Sequence, residues 1–288
     1  MPELPFAKGQ ALGNDYLVID AADLPWPLEP HRIRLLCDRH RGIGSDGILL
    51  GFLDETPIRL RIYNPDGSEA EKSGNGLRIF AAYLHGRGIV RDEPFTVALP
   101  KDTVEMRVES TLPDGQLMIA VDLGTPSFRG ADVGFKPEPG EALGAELDLG
   151  EAGTARVNPV SLGNPHCVVF VDELDRADFL RRAPALATHP AFVAGTNVQF
   201  ARVAGPDRLE AWIWERGAGE TLASGSSASA VAAAARRLGL VAARELVVDM
   251  PGGQVQIQVG EGEALRLRGP AEIVYHGRVA EPVVRRLS

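Results

Sequence analysis

Hydrophobic positions along this chain fall mostly into short runs. Tyr16 to Ile19, Phe95 to Leu99, Gln116 to Val121, Cys167 to Val171, Leu246 to Val248 and Val255 to Val259 are alternating or β-branched, with Gly, Pro and Asp between them. Such runs predict many short strands. Two stretches differ. In the first, the alternating segment Arg59 to Tyr63 leads through Asn64-Pro65-Asp66-Gly67 to Ser73-Gly74-Asn75-Gly76 and then to an apolar run from Leu77 to Leu84. In the second, Leu209 to Trp214 leads through Glu215-Arg216-Gly217-Ala218-Gly219 to Ser224-Gly225-Ser226-Ser227 and an alanine-rich run ending near Arg236-Arg237-Leu238-Gly239. Ser or Asn before the periodic residues, arginine in the last turn and glycine after it are helix start and stop signals. Few helices among many strands make the fold class α+β. Pro30 to Arg41 reads as a charged amphipathic helix and Ile48 to Phe52 as a strand, while Arg129 to Gly153, rich in Gly, Pro and Glu, reads as a long surface connection near a domain boundary.

The two helical stretches are copies of one another. Leu12-Gly13-Asn14 recurs as Leu162-Gly163-Asn164, and 164 − 14 gives an offset of 150. Glu69, Ser73-Gly74 and Gly88 recur as Glu220, Ser224-Gly225 and Gly239, where 224 − 73 gives 151, and Ile62-Tyr63 meets Ile213-Trp214 in that register. A near-constant offset across both halves indicates a duplicated domain.

Composition narrows the functional classes. The 288 residues, 44% hydrophobic and 24% charged, are those of a globular chain long enough for two domains. A formal net charge of −9 repels phosphate backbones, so nucleic acid is not an expected partner. No apolar run is long enough to span a membrane and no signal peptide is readable, which leaves the cytoplasm as the expected location. Cys37 and Cys167 are the only cysteines, and the histidines lack metal-ligand spacing, so no metal is expected.

Gly42-Ile43-Gly44-Ser45-Asp46-Gly47 fits the dinucleotide pattern G-x-G-x-x-G, but that pattern needs a strand before it and a helix after it. Here the order is reversed, and the segment reads as a tight turn. The two Ser-Gly helix starts are more informative. A helix amino terminus offers unpaired N–H groups and partial positive charge, which hold carboxylates and lower the pKa of a thiol. Two such ends facing one another would suit chemistry at a stereocentre, one group on each face of a carbon. Against this stands the simpler reading that Ser73 and Ser224 are N-caps.

Asn64-x-Asp66-Gly67-Ser68-Glu69-x-Glu71-x-Ser73-Gly74-Asn75-Gly76, Gly163-Asn164-Pro165-His166, Gly195-Thr196-Asn197 and Glu215-Arg216-Gly217-x-Gly219-Glu220-Thr221 resemble the signatures of diaminopimelate epimerase. The resemblance runs essentially the length of the chain and includes Leu12-Gly13-Asn14-Asp15 and Gly42-Ile43-Gly44-x-Asp46-Gly47. It implies two pseudo-symmetric domains, each a curled mixed or antiparallel sheet around a central helix, with the active site in the cleft between them. Residues 1–124, joined by a C-terminal strand at 275–288, would form one, and residues 125–274 the other. The implied activity is cofactor-free conversion of LL-diaminopimelate to the meso form, in lysine and cell-wall synthesis. The implied partners are a small amino-acid substrate and, as assembly, a homodimer.

In that family one cysteine thiolate removes the α-proton and a second thiol returns a proton on the other face; both start helices, and here those positions are Ser73 and Ser224. A serine hydroxyl is far less acidic than a thiol and normally needs an adjacent base. Lys72 precedes Ser73 but reads as a solvated surface lysine, Cys37 as buried in its helix and Cys167 as part of a strand. The implied ligand-holding residues are all present. Asn64, Asn164, Asn197 and Arg216 would hold the far carboxylate and Glu215 the far ammonium, with Asn14 also at the substrate. The backbone of Gly74, Asn75, Gly225 and Ser226 would hold the reacting carboxylate. Ser226-Ser227 stand where the family usually has Thr-Gly, Ser229 where a third cysteine is common and Pro65 where alanine is usual, a pattern that favours natural divergence over a designed replacement of the two cysteines alone. Three expectations follow: an epimerase with slowed chemistry, a catalytically silent protein that keeps the pocket, or a related isomerase or dehydratase whose base is Asp46 or Glu69.

Overall fold

The computed structural model describes residues 4–136 and 140–287. The first half of the chain runs β1 (Leu4–Ala11), β2 (Asn14–Asp20), α1 (Pro30–Cys37), β3 (Ile48–Phe52), β4 (Ile58–Tyr63), β5 (Glu69–Ala70), α2 (Gly74–Gly86), β6 (Phe95–Ala98), β7 (Thr103–Thr111) and β8 (Leu117–Gly124). The rest continues through α3 (Gly130–Val133), β9 (Ala145–Asp148), β10 (Thr154–Ser161), β11 (Pro165–Phe170), α4 (Arg176–Ala187), β12 (Asn197–Gly205), β13 (Arg208–Glu215), β14 (Gly219–Thr221), α5 (Gly225–Arg237), β15 (Glu245–Met250), β16 (Gly253–Val259), β17 (Leu265–Val279) and α6 (Glu281–Leu287). These elements form two compact units, Met1–Val121 with Gly269–Ser288, and Asp122–Arg268.

Strand pairing repeats from one unit to the other. In the first, β1 pairs antiparallel with β2, β2 parallel with β3, β3 antiparallel with β4, and β4 antiparallel with β5 and parallel with β6. In the second, β10, β11, β12, β13, β14 and β15 pair with the same senses in the same order. Even the register is kept: Ile62 faces Ala70 and Tyr63 faces Glu69, as Ile213 faces Thr221 and Trp214 faces Glu220. The architecture is the repeated mixed-sheet α+β fold that the sequence suggests.

Each sheet wraps one helix. α2 packs on β1, β2 and β7, and α5 on β10, β11, β12, β13 and β16. Every residue from Gly74 to Leu84 is buried, as is every residue from Gly225 to Ala235, so both helices are enclosed on all sides. Alanine suits α5 because a small side chain lets strands approach on every face without a loss of helix propensity. In the second unit Phe179 of α4 makes edge contacts with Phe200, Trp212 and Trp214, at 5.5, 5.7 and 6.4 Å between ring centroids.

Several boundaries differ from the sequence reading. α1 stops at Cys37 rather than Arg41, because the Asp38 carboxylate accepts from the backbone N–H groups of His40 (2.8 Å) and Arg41 (2.9 Å), closing a turn in place of another helical turn. The segment Arg129 to Gly153 is not one surface connection: it contains α3 and β9, and it sends Val133, Phe135 and Leu147 into the core of the second unit. Residues 137–139 of that segment lie outside the described residues. The strand expected at 275–288 ends at Val279. There Glu281 and Pro282 favour a helix start, and α6 follows with Val284 and Leu287 buried; Ser288 is outside the described residues.

One charged cluster braces the first unit at the turn that leads into β3. Asp15 takes two hydrogen bonds from Arg39, at 2.7 and 3.1 Å, and an ion pair from Lys8 at 2.5 Å, while Arg39 also reaches Asp46 at 2.7 Å. Burial pushes the Asp15 carboxyl up, but the hydrogen bonds from Arg39 and Lys8 outweigh it and hold the group at about 2. A carboxylate depressed in the folded state stabilises above its unfolded pKa, near 4, and loses that contribution as pH falls towards its folded value. Asp15→Asn is therefore expected to flatten the loss of unfolding free energy between about pH 4 and pH 2, by on the order of 2 kcal/mol, as measured by urea denaturation at stepped pH.

Candidate active site

The first half-site is the amino-terminal turn of α2. Ser73 is the N-cap, with φ −139° and ψ 115°, and its Oγ accepts from the Gly76 backbone N–H at 3.0 Å and lies 3.3 Å from the Tyr16 hydroxyl. Gly76 leaves this turn open: a Cβ there would fall 3.3 Å from Ser73 Oγ and 3.0 Å from Leu49 Cδ2. Asn75, only 3% exposed, donates from Nδ2 to Asn14 Oδ1 at 3.2 Å, and Asn14 Nδ2 donates to Asp46 Oδ2 at 2.9 Å. Asn14, Gly74 and Asn75 are thus grouped with Ser73 around one helix end. Asn64 sits in the turn from β4 to β5, where Nδ2 donates to Ser68 Oγ at 2.9 Å.

The alternative carboxylates separate here. Glu69 is gripped bidentately by Arg61, at 2.9 and 2.8 Å, and that hydrogen bonding holds it below the usual carboxylate range, so it is a poor proton acceptor. Asp46 is pushed up, first by burial and then by neighbouring Asp15. Lys72 is not the solvated lysine expected: its side chain is 6% exposed and its Nζ lies 2.8 Å from Asp102, so its charge is already engaged.

The second half-site is the corresponding turn of α5. Ser224 has N-cap geometry, φ −145° and ψ 121°, but makes no capping hydrogen bond; its Oγ lies 3.5 Å from Ser226 Oγ. Gly225 and Ser226 are buried beside it. Asn197 links two loops, donating to the Pro165 carbonyl at 3.0 Å and accepting from the Arg216 backbone N–H at 2.9 Å. Glu215 ends β13, and Arg216 begins the turn that follows, with Nη1 3.1 Å from the Ala194 carbonyl. Asn164 Oδ1 lies 3.0 Å from His166 Nε2.

Neither serine contacts a base among the described residues. Ser73 bonds Tyr16 and a backbone N–H, and Ser224 bonds Ser226. Their caps also differ: Ser73→Ala is expected to cost about 1 kcal/mol of stability and Ser224→Ala only a few tenths, a contrast that equilibrium urea unfolding of the two variants resolves.

Behind the second half-site lies a buried network that the sequence did not reveal. Gln199 Nε2 donates to His166 Nδ1 at 3.1 Å and to Ser227 Oγ at 2.9 Å. Burial, with the Arg216 charge nearby, pushes His166 down to about 3, so the imidazole is neutral. With Nδ1 accepting, the ring proton sits on Nε2 and points at Asn164, which fixes that amide. Both cysteines are buried, Cys37 in α1 and Cys167 in β11; burial raises Cys37 to about 11 and Cys167 further, so neither is an available thiolate. Among the described residues no three His, Cys, Asp or Glu side chains group as a metal site requires, and no helix is long and apolar enough to cross a membrane.

The family model and the relatives by sequence agree on one family. The family model described as diaminopimelate epimerase matches residues 6–129 and 159–274. A protein of a Nostoc species named diaminopimelate epimerase 2 is 45% identical over 258 residues, covering 89% of this chain and 88% of that one. The diaminopimelate epimerase of Pelotomaculum thermopropionicum is 38% identical over 276 residues, covering 94% of this chain and 97% of that one. Among solved structures, a hydroxyproline epimerase from Agrobacterium vitis shares the fold at 14% identity, with a TM-score of 0.72 over 97% of this chain and 93% of that one. On the matched residues and these relatives, the chain belongs to the diaminopimelate epimerase family.

Proposed function

We propose that the protein is a cofactor-independent isomerase of diaminopimelate, interconverting the LL and meso forms with slowed proton transfer. The carrying observation is that both Ser-Gly sequences open enclosed helices in matching sheets, within a chain whose family is established. Ser73 and Ser224 hold the acid/base positions: one takes the α-proton and the other returns a proton to the opposite face. The N–H groups of Gly74, Asn75, Gly225 and Ser226 stabilise the reacting carboxylate as negative charge spreads onto it. Arg216, Asn64, Asn164 and Asn197 hold the far carboxylate and Glu215 the far ammonium, a pattern suited to a zwitterionic end. The reading includes a cytoplasmic enzyme acting as a homodimer on small amino acids.

One observation favours a second reading, a silent binder: Ser73 Oγ is committed to the cap, and neither serine contacts a base among the described residues. Titration calorimetry with meso-diaminopimelate and with L-lysine tests the shared premise. Lysine lacks the second carboxylate and is expected to bind about 10- to 100-fold more weakly, the loss of hydrogen bonds to a charged group. Equal affinities, or no binding of diaminopimelate, would remove both readings.

A further inference from the structure

Arg78 sits one turn inside α2 and is 0% exposed, yet no carboxylate among the described residues pairs with it. Its Nη1 donates to the Gly74 carbonyl at 3.0 Å, Nη2 to Asn75 Oδ1 at 2.9 Å and Nε to the Pro270 carbonyl at 3.3 Å. A buried guanidinium solvated only by neutral oxygens is costly, and a neutral side chain would pack there more cheaply. Burial pulls its pKa to about 9, so the group still carries its charge at neutral pH.

That charge organises the residues around Ser73. Arginine can only donate, so Asn75 must turn its Oδ1 towards Arg78; the Asp46 oxygens accept from Arg39 and the Asp15 N–H, and Asn14 turns its Nδ2 towards them. The observed Asn75-to-Asn14 hydrogen bond completes one polarised line from the buried cation, through two amides, to Asp46. Among the described residues the second copy has no such line. Adding the repeat offset, 78 + 151 gives Ser229, whose Oγ donates to the Gly225 carbonyl at 2.8 Å, and 74 + 151 gives that same Gly225. A neutral hydroxyl thus bonds the carbonyl that a cation bonds in the first copy.

We propose that Arg78 is a positioning residue that makes the Ser73 half-site the more strongly anion-stabilising of the two. The inference rests on the reading that both helix ends serve the reacting group, and it assigns them unequal parts. Residue 73 itself is bonded by the Tyr16 hydroxyl on β2; Lys72, its neighbour in sequence, is paired with Asp102, and Asp46 closes the far end of the amide line. At residue 224 the bonded neighbour is the neutral Ser226, with Arg216 charged elsewhere in that unit.

A cysteine at each position reports the local potential through the pH dependence of its alkylation by iodoacetamide, against the unreactive background of buried Cys37 and Cys167. The Ser73→Cys thiol is expected to titrate about one unit or more below the Ser224→Cys thiol. Adding Arg78→Gln should raise the thiol at 73 and leave that at 224 unchanged, and Arg78→Lys should restore most of the difference. Equal thiol pKa values with Arg78 intact would overturn the proposal, a comparison that stands even where Arg78→Gln fails to fold. A shift of both thiols on Arg78→Gln would overturn it too. Alkylation involves no substrate, so this outcome is independent of whether diaminopimelate is the ligand.

Discussion

The Ser73→Cys/Ser224→Cys double variant is expected to epimerise LL-diaminopimelate at least ~10²-fold faster than the wild type, the usual worth of a competent general acid–base group. A thiol of ordinary pKa about 8.5 is brought near neutrality by a helix amino terminus, whereas a hydroxyl at the same place stays protonated. No contact in either half-site compensates. Ser73 is bonded to the Gly76 N–H and the Tyr16 hydroxyl, and Ser224 to Ser226, so among the described residues no basic side chain is bonded to either hydroxyl to take its proton. The turn at Ser73 has room for sulfur because residue 76 carries no Cβ. Either single variant supplies one competent group where the reaction needs one on each face. Each is expected to reach less than about a tenth of the double variant's rate, since groups that act as a unit are far from additive. Coupled assay of meso-diaminopimelate formation, over matched protein concentrations, reads all four proteins.

Arg216→Met is expected to weaken meso-diaminopimelate binding by about 10²-fold while leaving stability within about 0.5 kcal/mol. Binding falls because a carboxylate gripped by a guanidinium fork loses both its charge partner and its paired hydrogen bonds. Stability holds because the Arg216 side chain is exposed, its one fixed bond being to the Ala194 carbonyl, and because the bond to Asn197 comes from the backbone and survives the substitution. Calorimetry beside a urea melt separates the two effects. An affinity unchanged by Arg216→Met would place the far carboxylate elsewhere.

What the sequence disclosed followed from local rules. α2 and α5 were legible because serine caps, last-turn cations and a following glycine bracket each of them, and the offset of 151 between Ser73 and Ser224 foretold matching strand registers. α4 was not legible. Its buried Phe179, Ala183, Leu186 and Ala187 keep helical spacing, but Pro184 and a run of charges hide it, and the Asp175 cap that bonds the Asp178 N–H was the one available signal. α6 was missed because a two-turn helix has little periodicity to show, and β9 because it lies inside a Gly- and Pro-rich stretch. In the site, Asn14, Asn75 and Ser73 could be grouped from motif resemblance, since each sits in a recognisable run. Arg78 and the His166–Gln199–Ser227 network could not. Their meaning depends on full burial and on partners up to 192 residues away, as in the Arg78 bond to Pro270, and no spacing rule encodes that. Lys72 was misjudged for the same reason: its burial against Asp102 comes from a strand connection 30 residues on.

On the proposed function, the ligand-holding residues are kept while the acid/base pair has lost most of its strength. Deuterium uptake at the α-carbons of LL- and meso-diaminopimelate, followed by proton NMR in D₂O with the wild-type protein, tests it most directly. Uptake is expected to be at least ~10²-fold slower than with the Ser73→Cys/Ser224→Cys variant under the same conditions, with binding of the same ligand intact. Wild-type uptake equal to that of the double-cysteine variant would contradict it, and would mean that a base other than the two serines moves the proton.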